Sequence, residues 1–195
     1  MKEESLNHYI KVYDNAIPEG TSKKFLKICQ NHQDFMDACI FNKNKKQAVI
    51  KEIRETLTWP LHNSEEEQSR TNVHWCNLWI HFFNIFIKRY CEDTEIQTGP
   101  LVLNDIQVLK YNKSGHYKFH VDHANTVPRT LSCIYLVNDD YEGGELVFAL
   151  PNQQETYEVE KKANRMVIWP SNFLYPHMVK PVTKGIRYSI VSWAL

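Results

Sequence analysis

The residues best suited to chemistry are His120 and Asp122, which lie two positions apart in residues 115–122, GHYKFHVD. Polar and apolar residues alternate in this segment, as they do in a β-strand. Side chains two apart in a strand leave on the same face, about 7 Å apart along the backbone. An imidazole and a carboxylate in that arrangement can bind one metal ion. A second imidazole would complete the two-histidine, one-carboxylate set that holds Fe(II) and leaves open coordination positions.

The His-x-Asp spacing is weak evidence when it stands alone. With nine histidines and eight aspartates in 195 residues, about 0.4 such pairs arise by chance, and an ordinary surface strand explains one equally well. The second imidazole could come from His177, which begins a short apolar segment fifty-five residues after Asp122. The metal hypothesis therefore depends on the elements that surround these residues.

Arg187 is the other candidate, in the segment GIRYSIVSW ten residues after His177. In an extended strand its side chain shares a face with those of Ser189, Val191 and Trp193. A buried arginine keeps its charge and needs an anionic partner, and the sequence offers no obvious fixed carboxylate for it. A dicarboxylate bound by the guanidinium fork would serve. The alternative is a solvent-facing arginine on an edge strand.

Two helices and a series of strands would position these residues. Residues 22–33 predict a helix, and residues 71–90 predict a stronger one whose aromatic stripe (Trp75, Trp79, Phe82, Phe83, Phe86 and Tyr90) is typical of core packing. Residues 8–14 could form a short strand. Short β segments separated by turn residues follow at 103–111, 117–122, 130–138, 145–150, 156–160, 165–169, 176–180 and 185–194. Such a series predicts a sandwich or barrel.

Composition excludes several classes of protein. Lys and Arg balance Asp and Glu at 23 each, which argues against a nucleic-acid partner. The five cysteines are widely spaced without a C-x-x-C motif, so neither a zinc knuckle nor a disulfide framework is indicated. The apolar stretch at 75–87 is interrupted by polar residues, and the N-terminus lacks a signal-peptide core. We expect a cytoplasmic protein with no membrane partner.

Five ordered motifs in the C-terminal half resemble the Fe(II)/2-oxoglutarate-dependent dioxygenases, specifically their prolyl 4-hydroxylase-like branch. The motifs are Y-x-x-x-G-x-Y-x-x-H-x-D at 111–122, YEGGEL at 141–146, RMVIWPS at 165–171, PH-x-V-x-PV at 176–182 and G-x-RYS at 185–189. The resemblance implies an α+β, mainly β fold: a double-stranded β-helix (a jelly-roll, cupin-like barrel) with N-terminal packing helices. We expect one dioxygenase domain over 1–195, with a helical support region at 1–100 and the jelly-roll core with the iron site at 101–195.

The resemblance also implies roles for individual residues. The iron ligands would be His120, Asp122 and His177, and Arg187 would bind the distal carboxylate of 2-oxoglutarate. Tyr111 would lie on the cosubstrate side of the pocket and Tyr117 on the substrate side. Substrate contacts are expected from Arg129, which matches an arginine at the mouth of some peptide hydroxylases, and from Asn125 in the same loop.

One position departs from the family pattern. Some relatives place a tyrosine opposite the arginine to hydrogen-bond the same carboxylate, whereas Leu136 stands at that position here. Ser132, on the same strand face as Leu136, or Tyr111 would have to supply the second anchor.

The implied activity is hydroxylation of a prolyl or other residue in a protein or peptide, with oxidative decarboxylation of 2-oxoglutarate to succinate and CO2. Fe(II), 2-oxoglutarate and O2 would take part, with ascorbate as an accessory reductant. A free amino acid or small metabolite is the alternative substrate. A repair demethylase for alkylated bases and a non-catalytic β-barrel binding module are weaker alternatives. The sequence leaves the oligomeric state open.

Overall fold

The computed structural model describes residues 5–41, 47–61, 69–151 and 156–195. It contains a 3-10 helix at Leu6–Tyr9 and two α-helices, α1 (Glu19–Asn31) and α2 (Arg70–Thr94). The strands are β1 (Lys11–Asp14), β2 (Met36–Asp37), β3 (Ile40–Phe41), β4 (Gln47–Ala48), β5 (Arg54–Glu55), β6 (Leu57–Pro60), β7 (Leu103–Tyr111), β8 (His116–His120), β9 (Leu131–Leu136), β10 (Glu142–Gly143), β11 (Leu146–Phe148), β12 (Tyr157–Val159), β13 (Arg165–Pro170), β14 (His177–Val179), β15 (Val182–Lys184) and β16 (Arg187–Ala194).

Two antiparallel sheets form the barrel. The larger has seven strands in the order β1-β13-β9-β16-β7-β6-β2, and the smaller has five in the order β12-β11-β14-β8-β5. Two short pairs, β10 with β15 and β3 with β4, complete the described strands. All eight strands that the alternation predicted are present, with ends that differ by a few residues. The predicted mainly β double-stranded β-helix with packing helices is confirmed.

The outer face of the larger sheet is covered by the helices. The α2 helix buries an aromatic stripe against it, and the Trp79 ring lies 4.8 Å from that of Tyr135 in β9. The Tyr135 hydroxyl donates to Ser22 of α1 across 2.8 Å, which fixes α1 against the same strand. Successive side chains in a strand point to opposite faces of the sheet. The residues that alternate with those under the helices therefore point into the barrel. The aromatic stripe is core packing, as predicted.

The inner faces of the two sheets meet in a second apolar cluster. Ile134, Leu136 and Val191 from the larger sheet pack with Phe148 and Val179 from the smaller one. These side chains are at most 8% exposed, so they exclude water from the barrel interior. Polar side chains that also point inward therefore lie in a desolvated environment.

The first hundred residues contribute more than the helical support that the sequence predicted. β1, β2 and β6 extend the larger sheet at its two edges, and β5 extends the smaller one beside β8. β1 lies within the short strand predicted at residues 8–14. Periodicity did not reveal β2 and β5, which have two residues each. In the described part of the chain, no helix is both long and apolar enough to cross a membrane.

Candidate metal centre and its cavity

His120, Asp122 and His177 come together where β8 meets β14. His120 ends β8 and His177 begins β14, and the two residues are directly opposite in the antiparallel pair, with ring centroids 4.3 Å apart. Asp122 lies just beyond the end of β8, although the alternation predicted that the strand would include it. One potential ligand atom from each residue lies within 4.8 Å of the others. The three side chains therefore form a cluster that can hold one metal ion.

The hydrogen bonds of the two imidazoles leave one nitrogen of each ring for a metal. Nδ1 of His120 is 2.9 Å from the carbonyl oxygen of Lys118, and Nδ1 of His177 is 3.1 Å from that of Tyr175. Because a carbonyl oxygen only accepts, each Nδ1 carries the proton and each Nε2 offers a lone pair. The two Nε2 atoms lie 3.5 Å from different oxygens of the Asp122 carboxylate. Metal-binding histidines are commonly oriented in this way.

The ionisation of these groups also suits a metal. Burial alone would raise the pKa of the Asp122 carboxyl, but His177, His120 and a hydrogen bond from Ser132 lower it well below the usual range. Burial and the neighbouring His120 lower the pKa of His177 to about 4. At neutral pH the carboxyl is ionised and the His177 ring is neutral. Both are the forms that coordinate metal.

Two serines hold the carboxylate in place. The Ser132 hydroxyl donates to Oδ2 of Asp122 across 2.7 Å, and Oγ of Ser171 lies 2.7 Å from Oγ of Ser132. Since the single proton of Ser132 is used toward Asp122, the Ser171 hydroxyl is the donor in the second bond. The pair keeps Oδ2 occupied and leaves Oδ1 free for a metal.

This arrangement corrects the role predicted for Ser132. The sequence suggested Ser132 as a second anchor for the cosubstrate carboxylate because it shares a strand face with Leu136. The two residues are four positions apart in β9, which is about 13 Å along a strand. Leu136 is paired with Ser189, near Arg187, whereas Ser132 is paired with Trp193 at the opposite end of β16. Ser132 therefore contacts Asp122, a candidate metal ligand, and not Arg187, the candidate carboxylate anchor.

Arg187 forms the inner end of the site together with Tyr111 and Ser189. Its side chain is 0% exposed and lies over the ring of Tyr111, its cross-strand neighbour, at 4.8 Å from the centroid. Nη1 donates to Oγ of Ser189 across 2.9 Å, but Nε and Nη2 have no hydrogen-bond partner. Among the described residues, no carboxylate forms an ion pair with it. These two buried, unpaired donors suit a carboxylate that is not part of the chain.

Sequence reasoning missed Tyr141 as a neighbour of Arg187. Gly144 has φ +69, and a Cβ atom there would lie 3.0 Å from Cδ of Arg187 and 3.1 Å from Cε2 of Tyr141. The glycine thus lets both side chains pack closely. Burial raises the pKa of the Tyr141 hydroxyl, and the nearby Arg187 opposes that rise. Tyr141 belongs to the YEGGEL motif, so the signal was in the sequence, and its hydroxyl is a further candidate for the second carboxylate anchor.

A cavity of about 840 Å³ leads from the barrel interior to the surface past the metal cluster. Tyr111, Tyr117, Ser132 and Arg129 all line it, together with the three metal candidates. Asn125 is exposed in the turn between Ala124 and Val127 and is not among the lining residues. The structure therefore brings every predicted site residue except Asn125 and Arg187 to the cavity wall, and Arg187 lies against the ring of Tyr111, which does line the cavity.

The opening of this cavity, here called the mouth, is formed by Met36, Ile53, Arg54, Val121 and Arg129. Three of these residues come from the N-terminal region, where no site residue was predicted. Ile53 and Arg54 reach the cavity because β5 pairs with β8, with Arg54 directly opposite Tyr117, whereas Met36 lies in β2, which pairs with β6. Only tertiary pairing places them beside the metal cluster.

Comparison with known proteins supports this reading of the site. The model of the 2OG-Fe(II) oxygenase superfamily matches residues 106–195. A PKHD-type hydroxylase from Pseudomonas putida (strain W619) is 34% identical in an alignment 96 residues long, which covers 43% of this chain and 39% of the relative. A PKHD-type hydroxylase from Xylella fastidiosa (strain M23) is 36% identical in an alignment 98 residues long, which covers 43% of this chain and 41% of the relative. The chain spans about two fifths of the length of these curated relatives.

Solved structures share the fold over nearly the whole chain. A prolyl-4-hydroxylase from Pseudomonas putida has a TM-score of 0.71 at 16% identity and covers 96% of this chain and 92% of its own. A Trichoplax adhaerens prolyl hydroxylase, solved with a hypoxia inducible factor peptide fragment, has a TM-score of 0.73 at 18% identity over 97% and 85% of the two chains. The resemblance predicted from the five motifs is confirmed: residues 106–195 match the 2OG-Fe(II) oxygenase superfamily, and the chain shares its fold with solved prolyl hydroxylases.

Proposed function

We propose that the protein is an Fe(II)- and 2-oxoglutarate-dependent hydroxylase that acts on a prolyl or other residue of a protein or peptide. The observation that carries the proposal is the pairing of two features in one barrel. The His120, Asp122 and His177 cluster can hold the metal, and the buried Arg187 has two donors without a hydrogen-bond partner in the described part of the chain, which suits an external carboxylate.

The residues present fit the groups that the family implies. Two neutral imidazole nitrogens and one carboxylate oxygen are the donor set of non-haem Fe(II) oxygenases, which leaves three positions open. Arg187 would bind the distal carboxylate of 2-oxoglutarate through Nε and Nη2. When bound, Fe(II), 2-oxoglutarate and O2 supply the oxidation, in which 2-oxoglutarate is converted to succinate and CO2. Ascorbate as an accessory reductant belongs to the same proposal.

The chain's own contribution is positioning and exclusion of water. The Ser132 hydroxyl holds one oxygen of Asp122, so the carboxylate offers the metal a single oxygen and occupies one position. Tyr111 lies beneath the Arg187 guanidinium and orients it. Trp169 and Phe148 pack edge-on and tilted against the His177 ring at 4.9 and 5.7 Å, which keeps that ligand dry and fixed. A dry site strengthens the electrostatic contacts within it.

A polypeptide substrate is favoured over a free metabolite because apolar side chains of the mouth, Met36, Ile53 and Val121, line the cavity and remain exposed. The solved Trichoplax relative was obtained with a peptide fragment, which is a property of that protein and supports the same class of substrate here. A free amino acid or small metabolite stays the second candidate, since the cavity volume would admit one.

Iron-dependent conversion of 2-oxoglutarate to succinate tests the proposed activity. The full chain with Fe(II), O2 and 2-oxoglutarate should form succinate, and addition of substrate peptides should add 16 mass units to one of them. His120→Ala should lose the iron and the succinate while its circular dichroism spectrum stays that of the parent, because the ligand faces a cavity and not the packed core. Full iron stoichiometry and undiminished succinate in that variant would contradict the proposal.

A further inference from the structure

We infer that the mouth binds an acidic side chain of the substrate between Arg54 and Arg129, so that the substrate is a protein segment with an acidic residue close to the oxidised one. The inference rests on the proposed function, which already assigns Arg187, at the inner end of the site, to the cosubstrate. It adds a charge requirement that neither the fold nor the metal cluster imposes.

Both arginines are held at the cavity wall by aromatic rings. Arg54, from β5, has its Cζ atom 4.8 Å from the ring centroid of Tyr117, and Tyr117 is itself stacked on the imidazole of His120 at 3.5 Å. Arg129 lies closer still to an aromatic ring, with Cζ 3.6 Å from the centroid of Trp193. Stacking on a ring orients a guanidinium and leaves the donors at its edge available.

Among the described residues, both guanidinium groups bond only to backbone carbonyl oxygens. Nη1 of Arg54 donates to the Cys39 carbonyl across 3.3 Å, and Nη1 of Arg129 lies 3.5 Å from the Asp122 carbonyl oxygen. Nε of each is buried without a hydrogen-bond partner. In the described ranges neither forms an ion pair, whereas Arg165 is paired with Asp14 at 2.7 Å. A partly buried cation without an anion is costly, so the site is incomplete as it stands.

The nearby carboxylates do not fill this role. Asp37 is within 3.6 Å of Lys51, and Asp122 belongs to the metal cluster. Asp105 is exposed and forms no ion pair with Arg129 in the described part of the chain. Arg54 and Arg129 line the same cavity, where an incoming carboxylate meets both charges.

The apolar side chains of the mouth indicate that the acid belongs to a polypeptide. Met36, Ile53 and Val121 line the cavity yet are 57%, 37% and 39% exposed. Large apolar groups grouped around an opening mark a surface that a partner covers. A free amino acid that reaches the metal is too small to cover them as well, whereas an extended chain passes over them while one residue enters the cavity.

The position of the two arginines fixes where the acid lies relative to the oxidised residue. Arg54 is separated from the ligand His120 by the thickness of one tyrosine ring, and Arg129 touches the backbone of the ligand Asp122. An extended chain advances about 3.3 Å per residue, so the acid should lie within about three residues of the target.

Binding of peptide pools to the full chain tests the inference. The protein is loaded with Mn(II) and 2-oxoglutarate without oxygen, so that nothing turns over, and mixed with fluorescent pools of random nonapeptides. Each pool has Glu, Gln or Lys fixed at the central position. The Glu pool should bind at least about fivefold more tightly than the Gln pool, and the Lys pool more weakly than both. Equal binding of the Glu and Gln pools would overturn the inference.

Arg54→Met should abolish the preference for Glu, because it keeps an apolar stem over Tyr117 and removes the charge. Arg89→Met is the matched control, since Arg89 lies 4.8 Å over the ring of Tyr13, pairs with Asp93 and is remote from the cavity. The control should retain the preference. A preference that survives in Arg54→Met, or disappears equally in Arg89→Met, would contradict the assignment.

Two further measurements need no variant. The Glu preference of the parent protein should shrink as salt is raised, since screening weakens charge pairs at a surface, and a preference independent of salt would refute it. Free glutamate should fail to displace the Glu pool; displacement at equal concentration would refute the polypeptide part. A single-stranded oligonucleotide that competes better than the Glu pool would point to nucleic acid and overturn the inference.

The proposed function can fail separately. Absence of Fe(II)-dependent succinate together with a clear Glu preference would remove the oxygenase activity and leave the anion site intact. Normal succinate formation with no Glu preference would remove the anion site and leave the oxygenase activity intact.

Discussion

An arginine lies beside the site at each end of β16, and the two arginines differ in burial and in their contacts. At the inner end Arg187 is wholly buried over Tyr111, and its Nε and Nη2 have no hydrogen-bond partner among the described residues. At the mouth Arg129 is stacked on Trp193, six residues further along the same strand face, and remains partly exposed. The two positions are about 20 Å apart along the strand. β16 thus carries Arg187 at one end and, at the other, Trp193, on which Arg129 stacks.

The difference in burial predicts a difference in function. A buried cation whose surroundings cannot adjust selects one anion of fixed shape, as a cosubstrate would be. A partly exposed cation at a mouth contributes less energy and tolerates variation, as expected for a residue that meets the substrate. The candidate metal cluster lies toward the mouth end, since Ser132, which is paired with Trp193, donates to Asp122. Mutations at the inner end should therefore alter the cosubstrate requirement, and those at the mouth should alter the choice of substrate.

The largest effect is expected at Arg187. Arg187→Ala should raise the apparent KM for 2-oxoglutarate by about thirtyfold to several thousandfold, because removing one partner of a desolvated charge pair costs about 2–5 kcal/mol. Arg187→Lys should recover only part of the loss, since the two-pronged contact is gone. Succinate formation over a range of 2-oxoglutarate concentrations measures the effect, with iron stoichiometry as the control. An unchanged KM in the alanine variant would mean that another residue anchors the acid and that the two ends do not differ.

An intermediate effect is expected for the serines behind Asp122. Ser132→Ala should weaken Fe(II) binding about 10–100-fold, the usual range for residues that orient a metal ligand. Ser171→Ala should cost about fivefold or less, because Ser132 can still donate to the carboxylate and only one neutral hydrogen bond is lost. Anaerobic metal titration followed by tryptophan fluorescence measures both.

Ser192→Ala provides the matched control for these two variants. Ser192 is fully buried in β16, its Oγ has no hydrogen-bond partner, and its cross-strand neighbour Cys133 lies on the outer face. Metal affinity should stay within about twofold of the parent protein, because no described bond is lost. If all three serines gave the same loss, the effect would be one of general packing and Ser132 would have no special link to the metal.

The inner end was far more predictable from sequence than the mouth. The alternation in residues 185–194 placed Arg187, Ser189, Val191 and Trp193 on one face, and strand geometry alone guarantees that relation. The His120 and His177 pair could be anticipated because both residues lie in strongly patterned segments. The role of Ser132 could not, since the pattern specifies a face but not which end of the neighbouring strand lies opposite.

The mouth was unpredictable for a different reason. Residues 34–57 show no clear period, and their strands are two to four residues long. Arg54 gains its position solely from the pairing of β5 with β8. A contact between residues 54 and 117 leaves no trace in local composition. Tertiary pairing of short segments is therefore what limits prediction of substrate contacts here.

The smallest effect is expected for Arg129 at the mouth. Arg129→Ala should lower kcat/KM for a peptide substrate about tenfold, a cost of about 1.4 kcal/mol that suits a partly exposed charge. Conversion of 2-oxoglutarate to succinate without peptide should change by less than about twofold, because Arg129 touches Asp122 only through a carbonyl oxygen at 3.5 Å. Arg129→Lys keeps the positive charge and removes the planar stacking on Trp193, so it separates the two contributions. If both activities fell together, Arg129 would support the metal cluster and the distinction between the two ends would fail. If neither fell, a small metabolite would become the better substrate hypothesis, since the mouth would then contribute nothing to recognition.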